Sequence, residues 1–181
     1  MKLTNLIHYK ELDSTQSEIW RLIEKNNIED GTVVVADIQT AGKGTHGRKW
    51  YTDEPNNIAF SIYIETDCDI EKLQGITIDI AKDIVYVFKK YYNIELDIKE
   101  PNDLIINNKK IGGILTESKI HGNITKYLVI GIGINTSKMN FPEDIKDIAT
   151  SIKKEYGIDV NPIDFVKEFC NKFEETIKRR I

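Results

Sequence analysis

The stretch "QTAGKGTHGRKW", Gln39 to Trp50, decides the fold, because it can be read as three nucleotide-handling devices that belong to different architectures. Gly42, Gly44 and Gly47 spell a literal G-x-G-x-x-G, whose glycines would bring backbone close to a pyrophosphate at a helix N-terminus. The third glycine should then open a helix. Instead "RKWYTDEPNN" carries no helical stripe and yields to the strand-like run "NIAFSIYIET", so the dinucleotide-binding reading fails. As a P-loop the separation of Gly42 and Gly47 is right, but Arg48 and Lys49 stand where a Lys and a Ser or Thr should coordinate phosphate and magnesium. What remains is a loop joining two strands, in which Lys43, Arg48 and Lys49 wrap an anion, Trp50 anchors the exit and the glycines let the loop close on its ligand. On this stretch alone a solvated basic hairpin tip fits equally well.

The flanks carry the fold further. Upstream, "LIHYKELDSTQSEIWRLIEKNN" reads as a strand followed by a helix, with Ser14 or Thr15 as cap, Glu18 completing a capping box, and Ile19, Leu22 and Ile23 as the apolar stripe. "GTVVVADI" is a β-branched strand leading into the loop. Downstream, apolar positions from Asp69 to about Tyr91 recur at helical spacing and predict one long helix. Strands follow in "IELDIKE", in "DLIINNKKIGGILTES" folded at Asn107 and Asn108, and in "ITKYLVIGIGINT" after a turn at His121 to Asn123. Asp147 to Tyr156 and Ile163 to Arg180 read as helices, with Pro162 suited to a first turn. Strands with short connections imply an α+β fold: a mixed, largely antiparallel sheet with helices packed on one side, in a single domain over residues 1–181.

Composition narrows the function classes. At 181 residues the chain can bury a core without disulfides or a structural metal, and Cys68 and Cys170, lacking any CxxC spacing, read as reduced thiols. Twenty-five basic against twenty-nine acidic residues give a net charge of −4, with the basic residues scattered, which argues against nucleic acid as a partner. No apolar run suggests a membrane span, so a cytoplasmic protein is expected.

Two further stretches bear on chemistry. In "KEPNDLIINNKKIGGILTES", Lys99 precedes Pro101, Asn102 and Asp103 and then a hairpin with Gly112 and Gly113. A lysine beside a rigid Pro turn is suited to neutralising a carboxylate and a phosphate brought together, while paired glycines let a flat ligand lie on bare backbone. In "VIGIGINTS", alternate glycines in a strand ending at Asn135 suggest close approach of a ligand, with an amide placed to read a base or ribose.

"DSTQ", "QTAGKGTHGRKW", "KEPNDL", "KKIGGILTES", "GIGINTS" and "IATSI" stand in an order and spacing that resembles the biotin protein ligases, over a catalytic domain from about Tyr9 to Thr150. The resemblance implies a class II synthetase-like fold and a two-step reaction. Biotin and MgATP give biotinyl-AMP and pyrophosphate, then a lysine of a biotin carboxyl carrier domain displaces AMP. It implies that Lys99 and Arg48 are catalytic, with Lys99 bridging the biotin carboxyl and the α-phosphate. It implies biotin contacts at Ser14, Thr15, Gln39, Gly42, Lys43, Gly112 and Gly113, and nucleotide contacts at Lys43, Gly44, Arg48, Trp50, Asn102 and Asn135. Asp13 and Asp103 are left between orienting neighbours and holding magnesium. A homodimer through exposed sheet edges is possible in such a fold.

The sequence departs from that family at Thr45 and His46, where arginines are usual, which implies a reduced phosphate clamp and weaker retention of the adenylate. Glu100 replaces the usual Trp and puts a negative charge next to Lys99. Neither a DNA-binding winged helix nor a C-terminal β-barrel is expected, hence no repressor activity. The alternatives are a lipoate or octanoate ligase, which would need a long apolar tunnel, and a non-catalytic biotin- or nucleotide-binding module.

Overall fold

The computed structural model describes residues 5–181. In chain order the elements are β1 (Asn5–Leu12), α1 (Thr15–Glu24), β2 (Thr32–Lys43), β3 (Lys49–Thr52), β4 (Ile58–Asp69), α2 (Ile76–Val87), β5 (Asp97–Lys99), β6 (Asp103–Ile106), β7 (Lys109–His121), β8 (Ile124–Ile134), α3 (Ile152–Tyr156) and α4 (Pro162–Ile177). The strands form one sheet in the order β1-β2-β4-β8-β7-β6-β5, with β3 paired to β2 off that path. Among the described strands β1 and β2 run parallel and the other strand pairings are antiparallel. The expectation of a mixed, largely antiparallel sheet holds. Asn107 and Asn108, both with positive φ, make the tight turn between β6 and β7, and Gly122 does the same between β7 and β8.

Strand periodicity divides the core in two. Val33 and Val35 of β2 and Ile62 and Ile64 of β4 face α2 and α4, whose Ile80, Ile84, Phe165, Phe169 and Phe173 fill the larger cluster. Val34, Tyr63 and Val129 point the other way and are covered by Ile19 and Trp20 of α1. Helices therefore lie on both faces, which corrects the one-sided arrangement expected from sequence. An amphipathic stripe says that a helix has a partner, not which face of the sheet supplies it. At ten residues, α1 covers only part of its face, and the remainder is where the candidate site forms.

Three helix boundaries differ from expectation for local reasons. The run from Asp69 is broken into a 3₁₀ turn (Ile70–Leu73), a left-handed Gly75 (φ 77°), α2, and a π-helical turn (Phe88–Tyr92) ended by Asn93 (φ 53°). Arg180 holds the break, donating from Nη1 to the carbonyls of Lys72 and Gln74 at 2.8 and 2.6 Å and from Nε to Asp79 at 2.8 Å. Residues 147–150 are not helical, because Ile148 and Thr150 exchange backbone hydrogen bonds with Lys110; α3 begins only after Ser151, whose hydroxyl caps Lys154 N–H. At α1 the cap is Ser14, so Glu18 stands one position too late for a capping box. It instead accepts from the Tyr9 hydroxyl and from Arg21.

No helix among the described residues is long and apolar enough to cross a membrane. Cys68 and Cys170 are buried free thiols.

Asp83 of α2 is buried between α2 and α4, with Oδ2 lacking a hydrogen-bond partner and the Lys172 ammonium 4.0 Å from Oδ1. Burial raises its pKa above the ordinary 3.8, outweighing the opposing pulls of the Thr176 hydroxyl and Lys172. A carboxyl with a raised folded-state pKa favours the fold when protonated. Its contribution is therefore most favourable below pH 3.8 and is lost as pH rises through the folded value. Asp83→Asn is expected to raise Tm by about 2–4 °C at pH 7 and by little near pH 3.5. A pH series of thermal melts checks it, and an equal gain at both pH values would contradict it.

Candidate functional site

The part of the sheet face that α1 leaves open is walled by the α1 N-terminus, the β2–β3 hairpin, the start of β7, the end of β8 and the loop after it. At one end lies a buried, uncharged polar group of side chains. Thr15 N–H donates to Gln39 Oε1 at 2.9 Å, the Thr15 and Ser61 hydroxyls are 2.9 Å apart, and Gln39 Nε2 donates to Thr52 Oγ1 at 3.1 Å. Ser14, Thr15, Gln16, Gln39 and Ser61 all line the cavity at this end. The expected trio Ser14, Thr15 and Gln39 is thus brought together, though Gln39 is 24 residues from Thr15. Asp13 stays outside: Arg21 grips both its oxygens at 2.8 and 2.7 Å, and those hydrogen bonds hold its carboxyl down at about 2.

The middle of the cavity carries positive charge. Lys43, Arg48, Lys49 and Lys110 line it, three of them on the β2–β3 hairpin. In that hairpin Lys43 and Lys49 stand directly opposite each other, a like-charge pairing that an anion would relieve. His46 (φ 57°) and Gly47 (φ 73°) turn the chain tightly, confirming the strand-to-strand reading of the opening stretch. Arg48 folds back on Thr45, donating from Nη2 to the hydroxyl at 2.9 Å and from Nε to the carbonyl at 3.2 Å. Thr45 thereby holds Arg48 at the cavity wall.

Lys99 does not reach this cavity. It is exposed on β5, the outermost strand at that edge of the sheet, whereas Lys110 lines the cavity. The reason is the strand that carries each: β5 pairs with β6 at the sheet edge, whereas β7 borders the cavity, and a bulge there, where Leu104 pairs with Gly112 but Ile105 with Lys110, sets which of its residues face inward. Lys110 Nζ lies 2.6 Å from Asp103 Oδ1 and 5.8 Å from the Trp50 ring. Glu100 is also exposed and, among the described residues, forms no ion pair with Lys99.

The glycines play other parts than expected. Gly42 and Gly112 do not line the cavity. A Cβ on Gly42 would lie 2.4 Å from the Trp50 carbonyl, and one on Gly112 3.0 Å from Leu104, so both serve strand packing. Gly44 and Gly113 do line it. The flat group lying on bare backbone is Trp50: a Cβ on Gly133 would sit 2.3 Å from its indole nitrogen.

At the far end, beyond β8, Asn135, Lys138, Phe141, Ile145, Ile148 and Ala149 form the wall. Asn135 is buried, and Asn102, also on the lining, fixes β7 through a 3.1 Å bond to the Ile114 carbonyl. Lys138 is 1% exposed and ion-paired with Asp53, whose carboxyl would be raised by burial but is held low by the Lys138 hydrogen bond. Asn57 Oδ1 gathers the N–H groups of Thr136, Ser137 and Lys138 at 3.0–3.2 Å, shaping this wall. Gln16, Ser61, Lys110, Lys138 and Asn57 were missed from sequence. Of these, Lys110 and Gln16 stood in stretches singled out there for their chemistry, and Asn57 and Ser61 in one read only as a strand.

Comparison with known proteins follows the same lines. The profile of the Biotin/lipoate A/B protein ligase family matches residues 9–135. The Bifunctional ligase/repressor BirA of Bacillus subtilis is 36% identical over 173 residues, covering 94% of this chain and 53% of that protein, so the chain spans about half its length. Among solved structures, a biotin protein ligase from Aquifex aeolicus in complex with biotin and ATP superposes with a TM-score of 0.80 at 31% identity, over 97% of this chain and 71% of the other. A biotin protein ligase from Leishmania major in complex with biotinyl-5-AMP gives 0.79 at 26% identity, over 97% and 75%.

Gly133→Ala should drive the Trp50 indole off the sheet. The expected outcome is a loss of about 1–3 kcal/mol in denaturant unfolding together with a red-shifted tryptophan emission. An unshifted spectrum would place the indole elsewhere.

Proposed function

The chain belongs to the biotin/lipoate A/B protein ligase family, and on that premise we propose that it activates biotin with ATP as biotinyl-5′-AMP and transfers the acyl group to a lysine of a biotin carboxyl carrier domain. One observation carries this reading: a single cavity joins a buried neutral polar slot to a cationic middle through Lys110. A neutral ring rich in hydrogen-bonding groups belongs in the slot. A carboxylate and a phosphate belong in the middle.

Biotin enters with its ureido ring among Ser14, Thr15, Gln39 and Ser61 and its carboxylate toward Lys110. ATP lies with its phosphates among Lys43, Arg48, Lys49 and Lys110 and its base and ribose toward Asn135, Phe141 and Ile148. Two anions must meet for reaction, and cations already fixed in place lower that barrier without reorganisation. A carboxylate oxygen attacks the α-phosphorus, the bond to the bridging oxygen breaks, and pyrophosphate leaves. The carrier lysine then attacks the acyl carbon as a neutral amine, AMP departs and the amide remains. Magnesium arrives with ATP as part of the co-substrate. A linear fatty or lipoyl acid would leave the buried slot groups unpaired, which disfavours it as substrate. The protein is proposed to work in the cytoplasm.

Lys110→Ala is expected to lower biotin-dependent pyrophosphate exchange by about 10²–10³. Lys99→Ala should stay within about twofold of the unmodified protein, since surface substitutions cost little. Exchange that survives loss of Lys110, or exchange with lipoate in place of biotin, would refute the reading.

A further inference from the structure

Behind the polar slot, and outside the cavity lining, Glu117 of β7 accepts two hydrogen bonds on one oxygen, from Gln16 Nε2 at 2.8 Å and Trp20 Nε1 at 2.7 Å. Gln16 Nε2 also donates to the Val129 carbonyl at 3.2 Å, so both its hydrogens face acceptors. The orientation of the Gln16 amide is therefore set: Nε2 toward Glu117, Oε1 toward Ser61.

That orientation propagates. Ser61 Oγ is 2.9 Å from Gln16 Oε1, which can only accept, so the single Ser61 proton points there. Ser61 must then accept in its 2.9 Å contact with Thr15, so the Thr15 proton goes there rather than to Gln39 Oε1, which is 3.3 Å away. Gln39 Oε1 is held by the Thr15 backbone N–H at 2.9 Å, which turns Gln39 Nε2 toward Thr52 and the slot. The slot is left with oxygen lone pairs on Thr15 and Ser61 and one unused N–H on Gln39. A cyclic urea, with two N–H donors and one carbonyl acceptor, is the complement of that pattern.

We propose that Glu117 is a positioning residue that sets the donor and acceptor polarity of the acid-substrate slot through Gln16, Ser61 and Thr15, and so determines selection of a ureido ring. This rests on the assignment of biotin to the slot. Without an acceptor at position 117 only the longer 3.2 Å bond to the Val129 carbonyl opposes a turn of the Gln16 amide. Ser61 then receives a donor and passes its own proton to Thr15, whose hydroxyl turns to Gln39 Oε1, 3.3 Å away, so the slot loses one of the lone pairs Thr15 offers the ligand.

The test is the kinetics of biotin-dependent adenylation in Glu117→Leu, Glu117→Gln, Gln16→Met and the Leu/Met double variant, with thermal melts of each. Glu117→Leu and Gln16→Met should each raise the KM for biotin about tenfold, leave the KM for ATP in place, and combine with no further loss. Glu117→Gln, whose amide oxygen can take both hydrogen bonds, should restore the biotin KM. Either single variant suffices if the other fails to fold. An unchanged biotin KM, equal rises for biotin and ATP, additive losses in the double variant, or a Gln variant as impaired as the Leu variant would each overturn the proposal. If the unmodified protein neither binds nor adenylates biotin, the assignment of biotin falls and takes this inference with it, a result distinct from all of these.

Discussion

The first turn of α1 meets β2 and β4 through buried hydrogen bonds between neutral groups, Thr15 to Gln39 and Thr15 to Ser61, and the site is built outward from that contact. Buried polar groups without partners are costly, so these side chains must find one another or the helix cannot seat. Once seated, α1 covers Val34, Tyr63 and Val129 and stops. The rest of that sheet face stays open, floored by Gly131 and Gly133, where a side chain would collide with Gln16 or Trp50. Cavity and core are thus two consequences of one helix length.

Charge is arranged along the cavity in keeping with this. The slot behind α1 is neutral, the middle holds Lys43, Arg48, Lys49 and Lys110, and the far wall combines apolar side chains with the buried Lys138–Asp53 pair. Backbone bonds tie the regions together. Lys110 exchanges hydrogen bonds with Ile148 and Thr150, so the segment containing "IATS" is fastened to the strand that supplies the central lysine. A substrate spanning all three regions meets a neutral, a cationic and a mostly apolar environment in turn. That order suits an acid joined to a nucleotide.

Much of this was legible in the chain. Hydrophobic alternation marked the strands, paired asparagines and glycines marked the turns, and the missing helical stripe after Gly47 excluded a dinucleotide fold. Ser14, Thr15 and Gln39 were legible as a group only through the resemblance to biotin protein ligases. The central lysine was not legible, because "KEPND" and "KKIGG" both carry lysines and only the strand order puts β5 at the sheet edge while Lys110 of β7 lines the cavity. Alternate glycines correctly announced a close approach, but the approaching group is Trp50 of the same chain, which no local pattern could identify.

By itself the sequence determined the succession of elements, the antiparallel pairing of the short-connected strands and the strand-to-strand nature of the glycine loop, since all three follow from interactions between residues near one another in the chain. Only the tertiary structure decided which face each helix covers, which lysine stands at the centre, and how the slot is polarised. Those depend on contacts such as Gln16 with Glu117, 101 residues apart, and on one register shift. Hydrogen-bond direction in a buried network is settled by members that can only accept, and here those members, the Glu117 carboxylate and the Val129 carbonyl, lie on strands whose place beside α1 exists only once the sheet has formed.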